Sequence, residues 1–226
     1  MKLSLTLRLC IMIIIATLPS TTTIATSSQE LRWVNAVRNV YGERAAQRVR
    51  TWRNEIHQLF SLSERKKLEQ VNNFFNQLYF VDDIKLWGKN DYWATPLEFL
   101  GSNAGDCEDF TIAKYFSLLE LGISDKKLRL VYVKALHINQ FHMVLAYYAK
   151  PSSEPILLDN LNPSILRASK RRDLLPIYSF NGKNLWLMKS KKGQLAGNSS
   201  RLSLWNDLRN REKSLKLNKP LVNFDE

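Results

Sequence analysis

The chain has 226 residues, a formal net charge of +12 and 45% hydrophobic residues, among them ten Phe, eight Tyr and six Trp. This suits one domain of ordinary size with a real core, and it excludes wholesale disorder. Two cysteines exclude a disulfide framework or a cysteine-rich zinc site, and the scarcity of Gly and Pro excludes collagen-like and low-complexity classes.

Residues 1–26 read as an address. Lys2 and Arg8 lie near the start, an apolar run extends from Leu9 to Ala16, and Thr23-Ile24-Ala25 suits a cleavage signal. The run is roughly 10 residues, short of the about 20 that span a bilayer, so a cleavable signal peptide and export are expected, with an uncleaved anchor as the alternative. Cleavage would remove Cys10 and leave Cys107 as a single thiol, either buried and inert or reactive.

Apolar residues recur at spacings of three and four from Leu31 to Leu59, predicting helix with a break at Gly42. Ser61 with Glu64 predicts a capping box for a second helix whose apolar face is Leu68, Val71, Phe74, Phe75 and Leu78. Residues 80–94 carry breakers and read as irregular. Thr95-Pro96-Leu97-Glu98 repeats the helix-start grammar. After the loop 101–105, Asp106 is a possible N-cap for a helix over 107–121 that ends at Gly122. Residues 128–136 and 141–149 then predict an antiparallel pair with a turn near Asn139-Gln140. Ile156–Asp159 and Asn184–Met188 read as further strands. Helices first and strands afterwards predict an α+β domain over 27–190. A basic C-terminal tail, 191–226, is expected beyond it, with a short helix near 202–210.

The chemistry concentrates in Gly105-Asp106-Cys107-Glu108-Asp109-Phe110. A glycine-bearing loop delivers a cysteine to the first turn of a helix, where unpaired N–H groups lower a thiol's pKa and can hold an oxyanion. A base is needed, and there are three histidines. His57 sits in an early helix. His142 lies inside a strand, sharing a face with Val144, Ala146 and Tyr148, and Asp159 on the following strand could orient it. His137, beside the turn, is the rival base. Cys107, His142 and Asp159 thus read as nucleophile, base and orienter, against the alternative of a packed cysteine and a satisfied core histidine. Asp106, Glu108 and Asp109 crowd the thiol with charge that would raise its pKa. They suit helix capping, or a bound calcium ion.

The blocks Trp93–Glu98, Gly105–Tyr115, His142-Met143-Val144-Leu145 and Leu158-Asp159-Asn160-Leu161 resemble the bacterial transglutaminase-like cysteine proteinases, in particular those of the periplasmic LapG type. The resemblance covers about residues 30–190. It implies a papain-like, transglutaminase-like fold, with Cys107, His142 and Asp159 as the triad. It also implies calcium dependence, with Asp106 and Glu108 on the family's ligand positions and Asp109 as a further candidate. Such proteases are held by the periplasmic domain of an inner-membrane cyclic-di-GMP receptor. When freed, they cut a large surface adhesin near its N-terminus, and cells leave the biofilm.

Arg167, Lys170, Arg171 and Arg172 form one basic cluster, and Lys189, Lys191 and Lys192 begin another. A solvated face is the default reading. An acidic adhesin, an acidic receptor or an anionic membrane surface suits an exported protein better than nucleic acid, which is not expected as a partner. Two further readings stay open: a non-enzymatic basic binding module, and acyl transfer to an amine in place of water. Trp93, shortly before the nucleophile helix, is either core or support for the site.

Overall fold

The computed structural model describes residues 27–188 and 193–225; the expected signal segment and Lys189, Lys191 and Lys192 lie outside the described residues. None of the described helices is long and apolar enough to cross a membrane.

The helical half comes first. α1 (Ser28–Tyr41) and α2 (Glu43–Leu59) meet at Gly42, whose φ of 92° takes the left-handed region that glycine occupies without strain. Ser27 closes a reciprocal capping box with Glu30. α3 (Glu64–Phe75) follows, capped by Ser63 and not by Ser61. α2 runs to Leu59, so Ser61 falls in the turn, and Ser63 has the extended backbone that a cap needs. β1 (Tyr79–Phe80) and the single turn α4 (Asp83–Leu86) lead into the irregular stretch expected there. α5 (Pro96–Ser102) has the Thr95–Glu98 capping box and proline in its first turn, as its sequence dictates.

β2 (Ala104–Gly105) pairs in parallel with β1 and hands the chain to α6 (Cys107–Glu120). Gly105 fits because a Cβ there would lie 2.4 Å from Asp109 Oδ2 and 2.8 Å from Phe99 Cδ2. The backbone therefore passes closer to the helix start than any side chain allows.

The second half is a seven-stranded antiparallel sheet in the order β6-β5-β4-β3-β7-β8-β9. Its strands are β3 (Leu128–Ala135), β4 (Gln140–Tyr147), β5 (Ile156–Leu158), β6 (Leu166–Arg167), β7 (Leu174–Phe180), β8 (Asn184–Leu187) and β9 (Gln194–Asn198). The β3–β4 hairpin pairs Val133 with His142 and Leu130 with Leu145. Its period-two alternation separates two cores. Met143, Leu145 and Tyr147 join the main core with α6, while Val131, Val133, Val144, Ala146 and Tyr148 form a second one. β7 carries Pro176 and a register shift opposite Tyr132/Val133, and for that reason its sequence lacks strand alternation.

The packed body continues past the boundary expected near residue 190. α7 (Ser203–Ser214) buries Trp205 and Leu208 in the main core. The Trp205 ring lies 5.3 Å from Phe180, 5.8 Å from Tyr115 and 5.7 Å from Phe116. The segment beyond it runs back over the helical half.

Candidate active site

Cys107 opens α6, half-buried, on one wall of a cleft of about 370 Å³. The cleft is also lined by Asp91, Trp93, Tyr132, Phe141 and Tyr178. Phe141, Tyr132 and Tyr178 stack in sequence, 5.3 and 5.0 Å apart, and make its aromatic wall. Trp93 is 5% exposed and stacks on Phe180, so it is both core and cleft wall. A larger apolar cavity, about 560 Å³, lies between α1, α2 and α7, and none of Cys107, His142 and Asp159 lines it.

The sheet carries the histidine expected as the base. His142 is buried on β4, with Nε2 2.7 Å from Asp159 Oδ1. Asp159 follows directly on β5 and also accepts the Leu161 N–H at 2.9 Å. Its second oxygen is 2.8 Å from Arg171 Nη1. Burial presses the Asp159 carboxyl upward, but the hydrogen bonds with His142 and Leu161 and the ion pair with Arg171 win and hold it below the usual carboxylate range. With Nε2 engaged, Nδ1 is the nitrogen left for proton transfer. His137 is exposed in the β3–β4 turn, and His57 is tied to Glu30 at 2.8 Å beside Arg53.

Cys107 is linked to the same strand through Thr111 and Met143, the residue after His142. The Thr111 hydroxyl, one turn into α6, lies 2.9 Å from Cys107 O and 3.0 Å from Met143 O, and clamps helix to strand. Among the described residues no hydrogen bond joins the thiol to the imidazole. Sγ instead lies 2.9 Å from Glu108 Oε2. The helix start does not by itself make the thiol acidic: burial pushes its pKa well up, and the charges of Glu108 and Asp106 push further the same way.

The acids around Cys107 form a larger group than the local sequence announces. Asp83, Asp106 and Asp109 bring oxygens within 4.8 Å of one another, and so do Asp83, Asp91 and Glu108. Burial raises the Asp83 carboxyl to about 7, with Glu108 and Asp91 adding to the rise. Asp109 is fully buried, accepting the Ala94 N–H at 2.7 Å and the Asp106 N–H at 3.3 Å, so it staples the loop before α5 to the start of α6. Asp83 Oδ1 and Asp106 Oδ1 are buried with no partner. An all-oxygen donor set with unsatisfied buried oxygens fits a hard divalent cation.

Several contributors were invisible in the sequence. Arg171 sat in an apparent surface cluster yet is 4% exposed and bridges Asp159 and Asp173. Its burial takes one of the four residues of that basic cluster off the surface. Asp83 and Asp91 looked like breakers of an irregular stretch. Lys114, on α6, is 1% exposed, with Nζ 2.6 Å from Asn76 Oδ1. Asn76 Nδ2 in turn donates to the Asp159 carbonyl at 2.9 Å.

Residues 27–186 match the family model of the bacterial transglutaminase-like cysteine proteinase. No curated protein matches the sequence significantly. Among solved structures, Legionella pneumophila LapG is 40% identical over 80% of this chain and 96% of its own, with a TM-score of 0.71. Its EGTA-treated form gives the same identity and coverage, with a TM-score of 0.72. Its calcium-bound form is 39% identical over 81% of this chain and 98% of its own, with a TM-score of 0.70. The α+β architecture is accordingly the transglutaminase-like cysteine protease fold. The chain belongs to the bacterial transglutaminase-like cysteine proteinases.

Proposed function

We propose that this cysteine protease is a calcium-dependent endopeptidase in which Cys107 is the nucleophile, His142 the base and Asp159 its orienter. The observation that carries the triad is the 2.7 Å bond between His142 and Asp159, formed on the strand whose next residue, Met143, is clamped to the Cys107 turn by Thr111. The thiol proton passes to Nδ1 of His142, and the sulfur attacks the peptide carbonyl carbon. Backbone N–H groups at the start of α6 hold the oxyanion. The imidazolium returns the proton to the leaving amine, giving a thioester. Water, deprotonated by the same imidazole, then releases the acid and restores the thiol.

Asp83, Asp91, Asp106 and Glu108 would hold the cation, with Asp109 supporting them. A bound calcium ion would supply positive charge against this carboxylate ring and draw Glu108 away from the thiol. The unpartnered Asp83 and Asp106 oxygens and the family's calcium-bound and EGTA-treated structures support this reading.

For the biological role, we propose export to the periplasm and cleavage of a large surface adhesin near its N-terminus, promoting biofilm dispersal. The periplasmic domain of an inner-membrane cyclic-di-GMP receptor would restrain the enzyme. The resemblance to the LapG-type proteases supports these assignments. The test is incubation of the purified protein with the host's large adhesin, with calcium or with EGTA, and sizing of the products. A discrete truncation that needs calcium and disappears in Cys107→Ala is expected. Cleavage that survives Cys107→Ala overturns the triad, and cleavage undiminished by EGTA removes the cation.

A further inference from the structure

Residues 199–225 lie beyond the stretch that matches the family model, yet they grip the segments that carry two of the clustered carboxylates. Asp83 begins α4, and Asp91 is an exposed residue on the loop that follows. Both segments are pinned from the C-terminus. The Leu221 N–H donates to Leu86 O, at the end of α4, at 2.7 Å. The Leu221 side chain seats on Gly88, where a Cβ would lie 2.9 Å from Leu221 Cδ1.

The loop itself is held at Tyr92 and Trp93. Arg211, 6% exposed on α7, donates from Nη2 to Trp93 O at 2.6 Å and from Nη1 to Tyr92 Oη at 2.8 Å. Asn218 Nδ2 donates to the same phenol oxygen at 2.6 Å, and the Asn218 N–H donates to Glu98 Oε1 at 2.8 Å. The phenol donates to Glu98 Oε1 at 2.7 Å, and Arg211 pairs with the other Glu98 oxygen. Tyr92 is thereby fixed at its hydroxyl, while its backbone N–H donates to Asp83. Neighbouring Asp91 then has its carboxylate near those of Glu108 and Asp83.

We propose that this C-terminal strap, acting through Arg211, Asn218 and the Tyr92 hydroxyl, positions Asp83 and Asp91 and so sets the affinity of the acidic cluster for a divalent cation. The inference rests on the cation reading above. Arg211, Asn218 and Tyr92 neither line the cleft nor belong to the acidic cluster, so they are positioning residues. Like-charged carboxylates drift apart unless the backbone restrains them, and a cation site assembled from separate segments loses affinity when that restraint is removed.

The test is calorimetric titration of calcium chloride into the full chain, for wild type, Tyr92→Phe and Asn218→Ala, with thermal melts in EGTA alongside. Tyr92→Phe keeps the ring and removes only the hydroxyl; Asn218→Ala alters a partly exposed residue, so the result does not hang on one variant's folding. Both variants are expected to melt cooperatively in EGTA and to bind calcium about tenfold more weakly. Saturating calcium should return their cleavage rate to that of wild type. Wild-type calcium affinity in both folded variants would overturn the strap's role and leave the cation site standing. A wild-type chain that takes up no calcium would overturn the cation reading, and this inference with it.

Discussion

Arg171 lies 2.8 Å behind Asp159, on the carboxylate oxygen that His142 does not use. The imidazole is thus oriented by a carboxylate that is itself held by a buried guanidinium, and the guanidinium is steadied by Asp173 at 2.8 Å. Rotation of Asp159 would cost both contacts, so the imidazole is held from two sides.

Arg171→Met should therefore lower both activity and stability. It leaves a buried carboxylate with only the imidazole and a backbone N–H for partners, which costs about 3 kcal/mol when one member of a buried pair is removed. Urea denaturation measures the loss. A variant as stable as wild type would mean that the pair contributes nothing.

Acid should act through the same residue. The Asp159 pKa is lower in the folded state than in the unfolded chain, so the unfolded chain takes up the proton first as pH falls. The stability from this group is present above about pH 4 and is lost as pH falls through the folded pKa. In Arg171→Met the loss should be smaller and should end at higher pH, because one of the influences lowering the folded Asp159 pKa has gone. Denaturation midpoints taken between pH 6 and the acid limit check the direction.

Lys114 should give a slope of the same sign on the alkaline side. Burial lowers its ammonium to about 7, against which the Asp159 charge works only in part. Between that value and the ordinary lysine range the unfolded chain binds the proton and the folded chain does not, so stability rises with pH in this window. The slope is at most about 1.4 kcal/mol per pH unit. Lys114→Met should flatten the rise between pH 7 and 9.5, measured as the difference between the two proteins' denaturation curves.

Gly105→Ala should disable the site through packing alone. The added methyl meets Asp109 Oδ2, Asp109 Cβ and the Phe99 ring, none of which can retreat from the buried interior. A loss of about 1–3 kcal/mol is expected from overpacking. A larger fall in cleavage should accompany it, since Asp109 ties the Ala94 loop to the start of α6. Thermal melting and adhesin cleavage measured on one preparation separate the two effects.

Much of this protein could be read without its coordinates, where the determining forces are local. The Thr95–Glu98 capping box, the start of α6 after Asp106, the break at Gly42 and the β3–β4 hairpin all rest on residues within a few positions of one another. Cys107, His142 and Asp159 stood out because a thiol at a helix start and a polar ring inside an apolar strand are locally anomalous. Contacts across the fold decided the rest. Burial separates Arg171 from its exposed neighbour Arg172, which only the approach of Asp159 determines. Asp83 and Asp91 join Glu108 across a sequence gap that carries no periodic signal. β7 went unseen because Pro176 and a register shift break its alternation. The C-terminal strap reads as a basic tail because its anchors, Arg211 and Asn218, are polar. Their partners Tyr92 and Glu98 lie more than a hundred positions away, and polar residues declare such a role only once the chain has folded around them.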